Sequence, residues 1–465
     1  MAGPPRGPRR PRGRARRLRS AALLAGAALL AAAAVSARAA AARSDGVNPA
    51  PVRLVRPPAR PLSEMARIGR DLFFDPRLSA NGRQACATCH SPAHAYGPPD
   101  GRSVQPGGPS GRLEGDRAAP SLRYVDRIPP FTIGPDKGAA DLPAAGTPTA
   151  ASALAGAAGG TRPSKVAGSA AAATASAAAM VPQGGLFWDG RAPTLQAQAM
   201  APLFNPVEMA NRDTDAVAGR LRAAYGARLA RLVGPQAVAN SRQLVYEATY
   251  AVVRFEVEDA SFHPYSSKYD AWLEGRARLT REEARGLRLF EDPARGNCAG
   301  CHLDRPGPDG VPPAFTDYQY EALGVPRNRA LPAAHDGAAY DRGLCGPQRT
   351  DLAAATRYCG MFRTPSLRNV ATRRVFFHNG VYHSLAEVLD FYALRDVQPA
   401  AIYPRAADGR VARFDDLPPA DRANVDETDP PFGRAAGAPP ALSEQDRRDL
   451  IAFLRTLTDG WRPGR

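Results

Sequence analysis

Two five-residue stretches decide how this chain folds: Cys86-Ala87-Thr88-Cys89-His90 and Cys298-Ala299-Gly300-Cys301-His302. Both have the form C-x-x-C-H, which is typical of covalent c-type haem attachment. On one helical turn, two thiols three residues apart can form thioethers with the two vinyl groups, and the next imidazole can bind the iron. A redox dithiol, a zinc site and plain disulfides are the alternatives, but none of them needs the histidine twice. The pair therefore predicts two covalently bound haem c groups.

The segments that precede the two motifs resemble each other, which indicates a duplicated unit. Residues 69–76 read GRDLFFDP and residues 286–293 read GLRLFEDP. The second copy begins with Thr280 and Glu283, a capping-box pattern that starts a helix. Other apolar residues also recur at helical spacing, and no stretch shows the alternation of a strand. The sequence therefore predicts a mainly α, loop-rich fold of two tandem cytochrome c-like haem domains.

The composition bounds the class of protein. A chain of 465 residues with 44% hydrophobic and 23% charged residues is typical of several soluble domains, and it excludes a polytopic membrane protein. The net charge of +16 could indicate a nucleic-acid partner, but nine arginines and no acidic residue lie in residues 1–39. This basic stretch, its apolar run and Ala37-Arg38-Ala39 are typical of a secretory signal peptide. We expect a periplasmic protein with no nucleic-acid partner, membrane-bound only if the leader stays uncleaved.

The chain divides into three predicted parts. The signal peptide covers 1–39, the N-terminal haem domain covers 44–275 and the C-terminal haem domain covers 276–465. Residues 138–180 consist largely of Ala, Gly, Ser, Thr and Pro. This composition predicts a disordered Ala-rich insertion in the first haem domain, with an Ala-rich helix as the alternative.

Motifs after the insertion carry a family resemblance. The chain reads FWDGR at 187–191, NPVEM at 205–209, TPSLRNV at 364–370 and FHNG at 377–380. Together with the two C-x-x-C-H motifs, these segments resemble the bacterial di-haem cytochrome c peroxidases, including their MauG branch. The resemblance covers most of the chain after the leader, apart from the insertion. It implies that peroxide reacts at the N-terminal haem, that the C-terminal haem takes up electrons, and that a tryptophan lies between them.

The resemblance assigns roles to individual residues. Trp188 would pass electrons between the haems, and Gln198, Pro202 and Glu208 would lie on the distal side of the N-terminal haem. A carboxylate there can take the proton from bound peroxide and return it to the leaving oxygen. Taken alone, Trp188 could be a buried core aromatic, and Glu208 could be a solvated helix charge.

The sixth iron ligands separate the branches of this family. His90 and His302 would be the proximal ligands of the two irons. Conventional members carry a further histidine after the first C-x-x-C-H, but residues 105–122 contain none, and Ser110 aligns with that position. His94 is too close to His90 to reach across the haem. We therefore expect an open iron at the N-terminal haem.

At the C-terminal haem, Tyr392 aligns with a methionine ligand of conventional members and with a tyrosine of the MauG branch. A phenolate is a hard anionic donor, so it lowers the reduction potential of the iron relative to methionine. Tyr392 as a core aromatic and Met361 as the ligand are the alternatives. His378 in FHNG is interpreted as a structural residue.

Two further expectations concern a disulfide and a calcium ion. Cys345 and Cys359 are left after haem attachment, and in an exported protein we expect them to form a disulfide, with free thiols as the alternative. Family members hold calcium between the haems with Asn and Thr side chains, which are absent here in Arg117-Ala118-Ala119-Pro120 and Arg373-Arg374-Val375. This departure places bound calcium in doubt, and we expect Arg373 to supply the missing positive charge.

The sequence thus predicts a periplasmic di-haem c-type peroxidase, an oxidoreductase that reduces hydrogen peroxide to water. Its electrons would come from a small periplasmic cytochrome c or cupredoxin. In the MauG-like alternative, they come from residues of a protein substrate that is thereby modified. A non-enzymatic electron-transfer cytochrome is an alternative of another class, and the missing distal histidine argues against it.

Overall fold

The computed structural model describes residues 46–135, 180–337 and 339–464, together with Gly3. Apart from Gly3 and Met180, the predicted signal peptide at 1–39 and the predicted insertion at 138–180 lie outside the described residues. Met180, the last residue of the predicted insertion, begins strand β2 and pairs with Pro135. Within the described part of the chain, no helix has both the length and the apolar character to span a membrane.

Helices joined by long loops dominate the described residues, which confirms the predicted fold class. The α-helices are α1 (Glu64–Phe73), α2 (Cys86–Cys89), α3 (Leu195–Phe204), α4 (Thr214–Val233), α5 (Pro235–Ala239), α6 (Ser241–Glu258), α7 (Lys268–Leu273), α8 (Arg281–Glu291), α9 (Leu385–Leu394), α10 (Pro399–Ile402) and α11 (Glu444–Arg455).

Two short antiparallel sheets were not predicted from the sequence. Strand β1 (Thr132–Pro135) pairs with β2 (Met180–Gln183), and β3 (Tyr320–Glu321) pairs with β4 (Phe362–Arg363). These strands are too short to show an alternating pattern in the sequence. A bridge between Gln183 and Gln319 joins the two sheets, so they lie where the N-terminal and C-terminal halves meet.

Each C-x-x-C-H motif follows a helix that packs against a later helix of the same half. In the N-terminal half α1 packs on α6, and in the C-terminal half α8 packs on α11. Both contacts need a glycine, because a Cβ at Gly69 would overlap the backbone of Ala251, and a Cβ at Gly286 would overlap that of Asp449. The predicted capping box of Thr280 starts α8. The same helix pair is thus built twice.

The duplication continues beyond the haem motifs. Residues 120–125 read PSLRYV and residues 365–370 read PSLRNV. Each segment is followed by a hairpin closed by an antiparallel bridge, at 186–192 in the first half and at 376–382 in the second. A ten-residue helix follows each hairpin, α3 and α9. Positions in the two halves can therefore be compared directly.

Polar contacts join the two halves, whose main apolar cores are separate clusters. Arg123 Nη1 donates a hydrogen bond of 3.0 Å to Asn369 Oδ1, and the Tyr124 hydroxyl donates one of 2.7 Å to Asp459. Hydrogen bonds to charged groups contribute about 1.5–3 kcal/mol each. These contacts help to fix the position of one half relative to the other.

The predicted disulfide between Cys345 and Cys359 is present, and both residues are buried. The two cysteines lie 14 residues apart in the sequence, a separation for which loop-closure entropy gives about 3 kcal/mol of stabilisation. The closed loop leads directly into β4, so the disulfide anchors one wall of the C-terminal half.

Candidate functional site

Each histidine of the C-x-x-C-H motifs is oriented by a backbone carbonyl. His90 Nδ1 lies 3.1 Å from the carbonyl oxygen of Tyr96, and His302 Nδ1 lies 3.0 Å from that of Phe315. With the proton on Nδ1 donated to the carbonyl, Nε2 is the unprotonated nitrogen, which is the one that can bind a metal in this tautomer. Burial lowers the pKa of His90 to about 4. Its imidazole is therefore neutral at physiological pH, as an iron ligand must be.

The two motifs open onto two cavities, which we name the N-terminal and the C-terminal cavity. The N-terminal cavity has a volume of about 170 Å³ and the C-terminal cavity one of about 200 Å³, counted as the space that the centre of a water molecule can occupy. Burial raises the pKa of the thiols of Cys86, Cys89 and Cys298 to about 12. A redox dithiol needs a lowered thiol pKa. Each of these largely apolar cavities has two cysteine side chains and an oriented imidazole on its wall, an arrangement that fits haem c.

The predicted distal residues lie together on the wall of the N-terminal cavity. Gln198 and Pro202 come from α3, and Glu208 follows this helix after the turn at Asn205. Asn205 Nδ2 donates a hydrogen bond of 2.6 Å to Glu208 Oε1. Trp188 lines the same cavity, so the structure brings the three predicted catalytic residues to one site.

The carboxyl group of Glu208 is poised for proton exchange. Burial raises its pKa above the usual value for glutamate, while the positive charge of Arg191 and the hydrogen bond from Asn205 lower it. The negative charge of Asp116 adds to the rise. A carboxyl group on a cavity wall whose pKa is raised by burial is a candidate for general acid-base chemistry.

The loop that aligns with the missing histidine ligand turns away from the cavity. Gly107 and Leu113 form a bridged hairpin, and the Gly108 amide donates a hydrogen bond of 2.7 Å to the carbonyl of Glu208. Ser110 is exposed at the tip of this hairpin. His94 bonds to Ser91 and does not line the N-terminal cavity. Residues 107–113 do not line the N-terminal cavity, so this hairpin offers no sixth ligand for an iron bound to His90.

Trp188 is the residue that connects the two cavities. Its side chain is buried and lines both of them. The indole Nε1 donates a hydrogen bond of 2.8 Å to the carbonyl of Ala118. The next residue, Asp189, pairs at 2.7 Å with the buried guanidinium of Arg117, which also pairs with Asp341 at 2.7 Å. Removing one partner of such a buried pair costs about 3–5 kcal/mol, so the indole is held rigidly.

Of the two candidate ligands of the C-terminal haem, Tyr392 lines the C-terminal cavity and Met361 does not. Tyr392 lines this cavity, and its ring stacks on that of Phe432 at 5.5 Å. Burial raises the pKa of the Tyr392 phenol. Met361 does not line the cavity and packs in a separate cluster with Tyr320 and Leu344. His378 stacks on Phe362 with ring centres 3.6 Å apart.

The internal duplication aligns Tyr392 with Pro202. Thr194 and Ser384 cap the first turns of α3 and α9, and Pro202 and Tyr392 each lie eight residues after their cap. Each of these two residues lines the cavity of its own half. A proline has no side-chain donor for a metal, whereas a phenol has one. The two cavities therefore differ at the position where a sixth ligand would come from.

The residues between the cavities do not fit a calcium site. The Arg373 guanidinium is enclosed there and donates to the carbonyls of Val375 at 3.2 Å and Ala119 at 3.3 Å. Burial lowers its pKa to about 10, so it stays charged at neutral pH. Among the described residues, no group of three or more His, Cys, Asp or Glu side chains is arranged to hold a metal ion.

Sequence reasoning did not single out three residues that the structure places at the site. Asn205 holds Glu208, Arg363 is a half-buried arginine on the wall of the C-terminal cavity, and Glu256 lines the N-terminal cavity. The repeated P-S-L-R segment was available in the sequence as a signal. An alignment of the two halves on this segment shows that Tyr392 and Pro202 occupy equivalent positions.

Comparison with known proteins identifies relatives of this chain. The family model for di-haem cytochrome c peroxidase matches residues 63–278. The methylamine utilization protein MauG of Paracoccus denitrificans is 33% identical over 347 residues, which cover 72% of this chain and 76% of that protein. The cytochrome c551 peroxidase of Nitrosomonas europaea is 26% identical over 346 residues, or 73% of this chain and 75% of that protein.

Solved structures show the same relationship. The di-haem peroxidase BthA from Burkholderia thailandensis superimposes with a TM-score of 0.71 and 35% identity, over 88% of this chain and 90% of that chain. A MauG-like protein associated with microbial copper homeostasis has a TM-score of 0.54 at 24% identity, over 88% of this chain and 95% of that chain, which supports the fold alone.

Proposed function

Because the chain belongs to the di-haem cytochrome c peroxidase family, we propose that it is an exported peroxidase that reduces hydrogen peroxide with electrons from a small redox protein. Family members are peroxide-dependent oxidoreductases that carry two c-type haems. The cysteines of the two motifs would form the thioethers, and His90, His302 and Tyr392 would bind the irons. When bound, the haems supply the site at which peroxide is reduced and the store for the second oxidising equivalent.

The observation that carries this proposal is the distal wall of the N-terminal cavity. The carboxyl group of the half-buried Glu208 faces a cavity in which Pro202 takes the place of a ligand. Glu208 would accept the proton of peroxide and return it to the departing oxygen, so that water leaves. Gln198, buried on the same wall, would orient the peroxide. Trp188 would pass electrons between the cavities, because its indole lines both.

A turnover assay tests the proposal. The purified protein is mixed with hydrogen peroxide and a reduced cytochrome c or cupredoxin, and the donor is followed by its absorbance. Since the reduction of one peroxide to two waters takes two electrons and two protons, two donor molecules should be oxidised for each peroxide consumed. An absence of peroxide consumption would support an electron-transfer cytochrome instead.

The MauG-like function is the second candidate, and two observations favour it. The tyrosine at position 392 and the absence of a distal histidine both match that branch, and MauG of Paracoccus denitrificans is among the relatives. In this case peroxide is consumed while the added donor stays reduced. The electrons then come from side chains of a protein substrate, and its modification would be detected as a mass change.

A further inference from the structure

A buried carboxyl group at the N-terminal cavity has no role in the mechanism above. Glu256 lies in the last turn of α6 and is 3% exposed. It lines the N-terminal cavity together with Thr249 and Val252 of the same helix. Its Oε2 has no hydrogen-bond partner among the described residues. An unpaired buried polar group costs free energy, so its presence in an apolar wall needs a reason.

The other half of the molecule shows that the fold does not need this carboxyl. The contact of Gly69 with Ala251 corresponds to that of Gly286 with Asp449, which aligns α6 with α11. Five residues after Ala251 and Asp449 come Glu256 and Leu454. Leu454 lines the C-terminal cavity, as Glu256 lines the N-terminal one. At this position one half therefore uses an apolar side chain and the other an acid.

The surroundings of Glu256 keep it protonated at neutral pH. Burial raises the pKa of Glu256 to about 8, and no charged group contributes to the rise. Cys86 and Tyr96 are the titratable neighbours on which Glu256 acts electrostatically. Cys86 does not titrate once it forms a thioether. Glu208, the other acid of this cavity, acts on Cys89 rather than on Cys86.

We propose that Glu256 is a proton-binding site coupled to the redox state of the N-terminal haem. This inference rests on the proposed function, because it requires a haem attached at Cys86 and Cys89. At a pH at which Glu256 is ionised in the oxidised protein, the addition of one electron by the external donor would be accompanied by the binding of one proton from solvent to the Glu256 carboxylate. Reoxidation would release that proton from the carboxyl group. The net charge of the site is then the same in both states.

The physical basis is the Coulomb interaction in a wall of low polarity. An ionised Glu256 stabilises the oxidised iron, and a protonated Glu256 does not. The midpoint potential of the N-terminal haem should therefore fall as the pH rises through the pKa of Glu256. The C-terminal haem has Leu454 at the equivalent position, so it lacks this dependence and serves as an internal control.

A redox titration followed by absorbance tests the proposal. The potentials of both haems in the holoprotein are measured from about pH 6 to about pH 10, a range that spans the pKa of Glu256. In wild type, the N-terminal potential should fall over this range. In Glu256→Gln and Glu256→Leu it should stay flat near the wild-type value at low pH. Glu247→Gln, which removes a charge from the same helix away from the cavity, should behave as wild type.

Glu208→Gln separates the two acids of the cavity. The pH dependence should survive in this variant, since Glu256 is intact. A pH dependence that persists in Glu256→Gln overturns the proposal. A redox-difference infrared spectrum adds a second readout, in which a protonated carboxyl band appears on reduction in wild type and is absent in Glu256→Gln. The same band in Glu256→Gln would also overturn it.

Failure of the proposed function has a different signature. A purified wild-type protein whose absorbance and mass show no haem at Cys86 and Cys89 overturns the proposed function and this inference together. A persistent pH dependence in Glu256→Gln overturns this inference alone, because the titration uses no peroxide.

Discussion

Asn205 and Glu208 are joined by a hydrogen bond of 2.6 Å in which the amide Nδ2 donates to Oε1. The bond fixes the carboxylate at the wall of the N-terminal cavity and lowers its pKa, against the rise that burial causes. In the proposed mechanism, Asn205 is thus a positioning residue that would set the pH range in which Glu208 accepts a proton.

Asn205→Ala should move the pH profile of the peroxide reaction. Glu208 must be ionised to accept a proton, so the rate falls as the pH drops through its pKa. Without the amide donor, this pKa rises, and the acid side of the profile should move to higher pH. The second-order rate constant for peroxide is measured across pH. Gln196→Ala, in the first turn of the helix that Asn205 ends and outside the lining of the N-terminal cavity, should leave the profile in place.

Glu208→Gln should slow the reaction with peroxide by about 10²–10⁴-fold, because the amide cannot accept the proton. The shapes of the side chains are similar, so haem content and the unfolding midpoint should stay at wild-type values. Rates are measured by stopped flow. Unchanged kinetics in a fully loaded Glu208→Gln protein would refute the acid-base role.

Tyr392→Met should raise the reduction potential of the C-terminal haem, on the order of 100 mV, because a neutral thioether replaces an anionic donor. Met361→Leu should leave the absorbance spectrum of this haem unchanged, because Met361 packs outside the cavity. Tyr382→Phe, in the same aromatic cluster but away from the cavity wall, is the control for packing. A spectrum altered by Met361→Leu and not by Tyr392→Met would reverse the assignment.

Elemental analysis of the dialysed protein should find iron but no stoichiometric calcium. The enclosed Arg373 guanidinium disfavours the oxidised irons, so Arg373→Met should lower the haem potentials by tens of millivolts, as an order of magnitude. Arg374→Met removes an exposed charge next to it and should have little effect. One calcium ion per chain would show that Arg373 does not replace the metal.

Local patterns in the sequence were sufficient for the fold class and the haem motifs. C-x-x-C-H encodes attachment within five residues, and the Thr280 capping box starts α8 as expected. The disulfide of Cys345 and Cys359 followed from elimination in an oxidising compartment. The haem motifs and the capping box depend on residues that are close in sequence, and the disulfide joins the two cysteines that the haem motifs leave over.

Contacts between distant segments could not be predicted in this way. Met361 was an alternative ligand because its thioether can bind iron. Its packing in a cluster outside the C-terminal cavity is set by tertiary contacts that the sequence does not reveal. Glu256 drew no prediction from the sequence, because its burial depends on how α6 packs against α1. The strands β1 to β4 are set by the junction of the two halves rather than by their own residues.

The open N-terminal haem is the central claim, and one rapid-mixing experiment tests it directly. The fully oxidised protein is mixed with one equivalent of hydrogen peroxide, and the Soret band is followed by stopped flow. A prompt change without prior reduction is the predicted result. A Soret band that stays unchanged until one electron has been added would mean that a sixth ligand blocks the iron, and it would contradict the account.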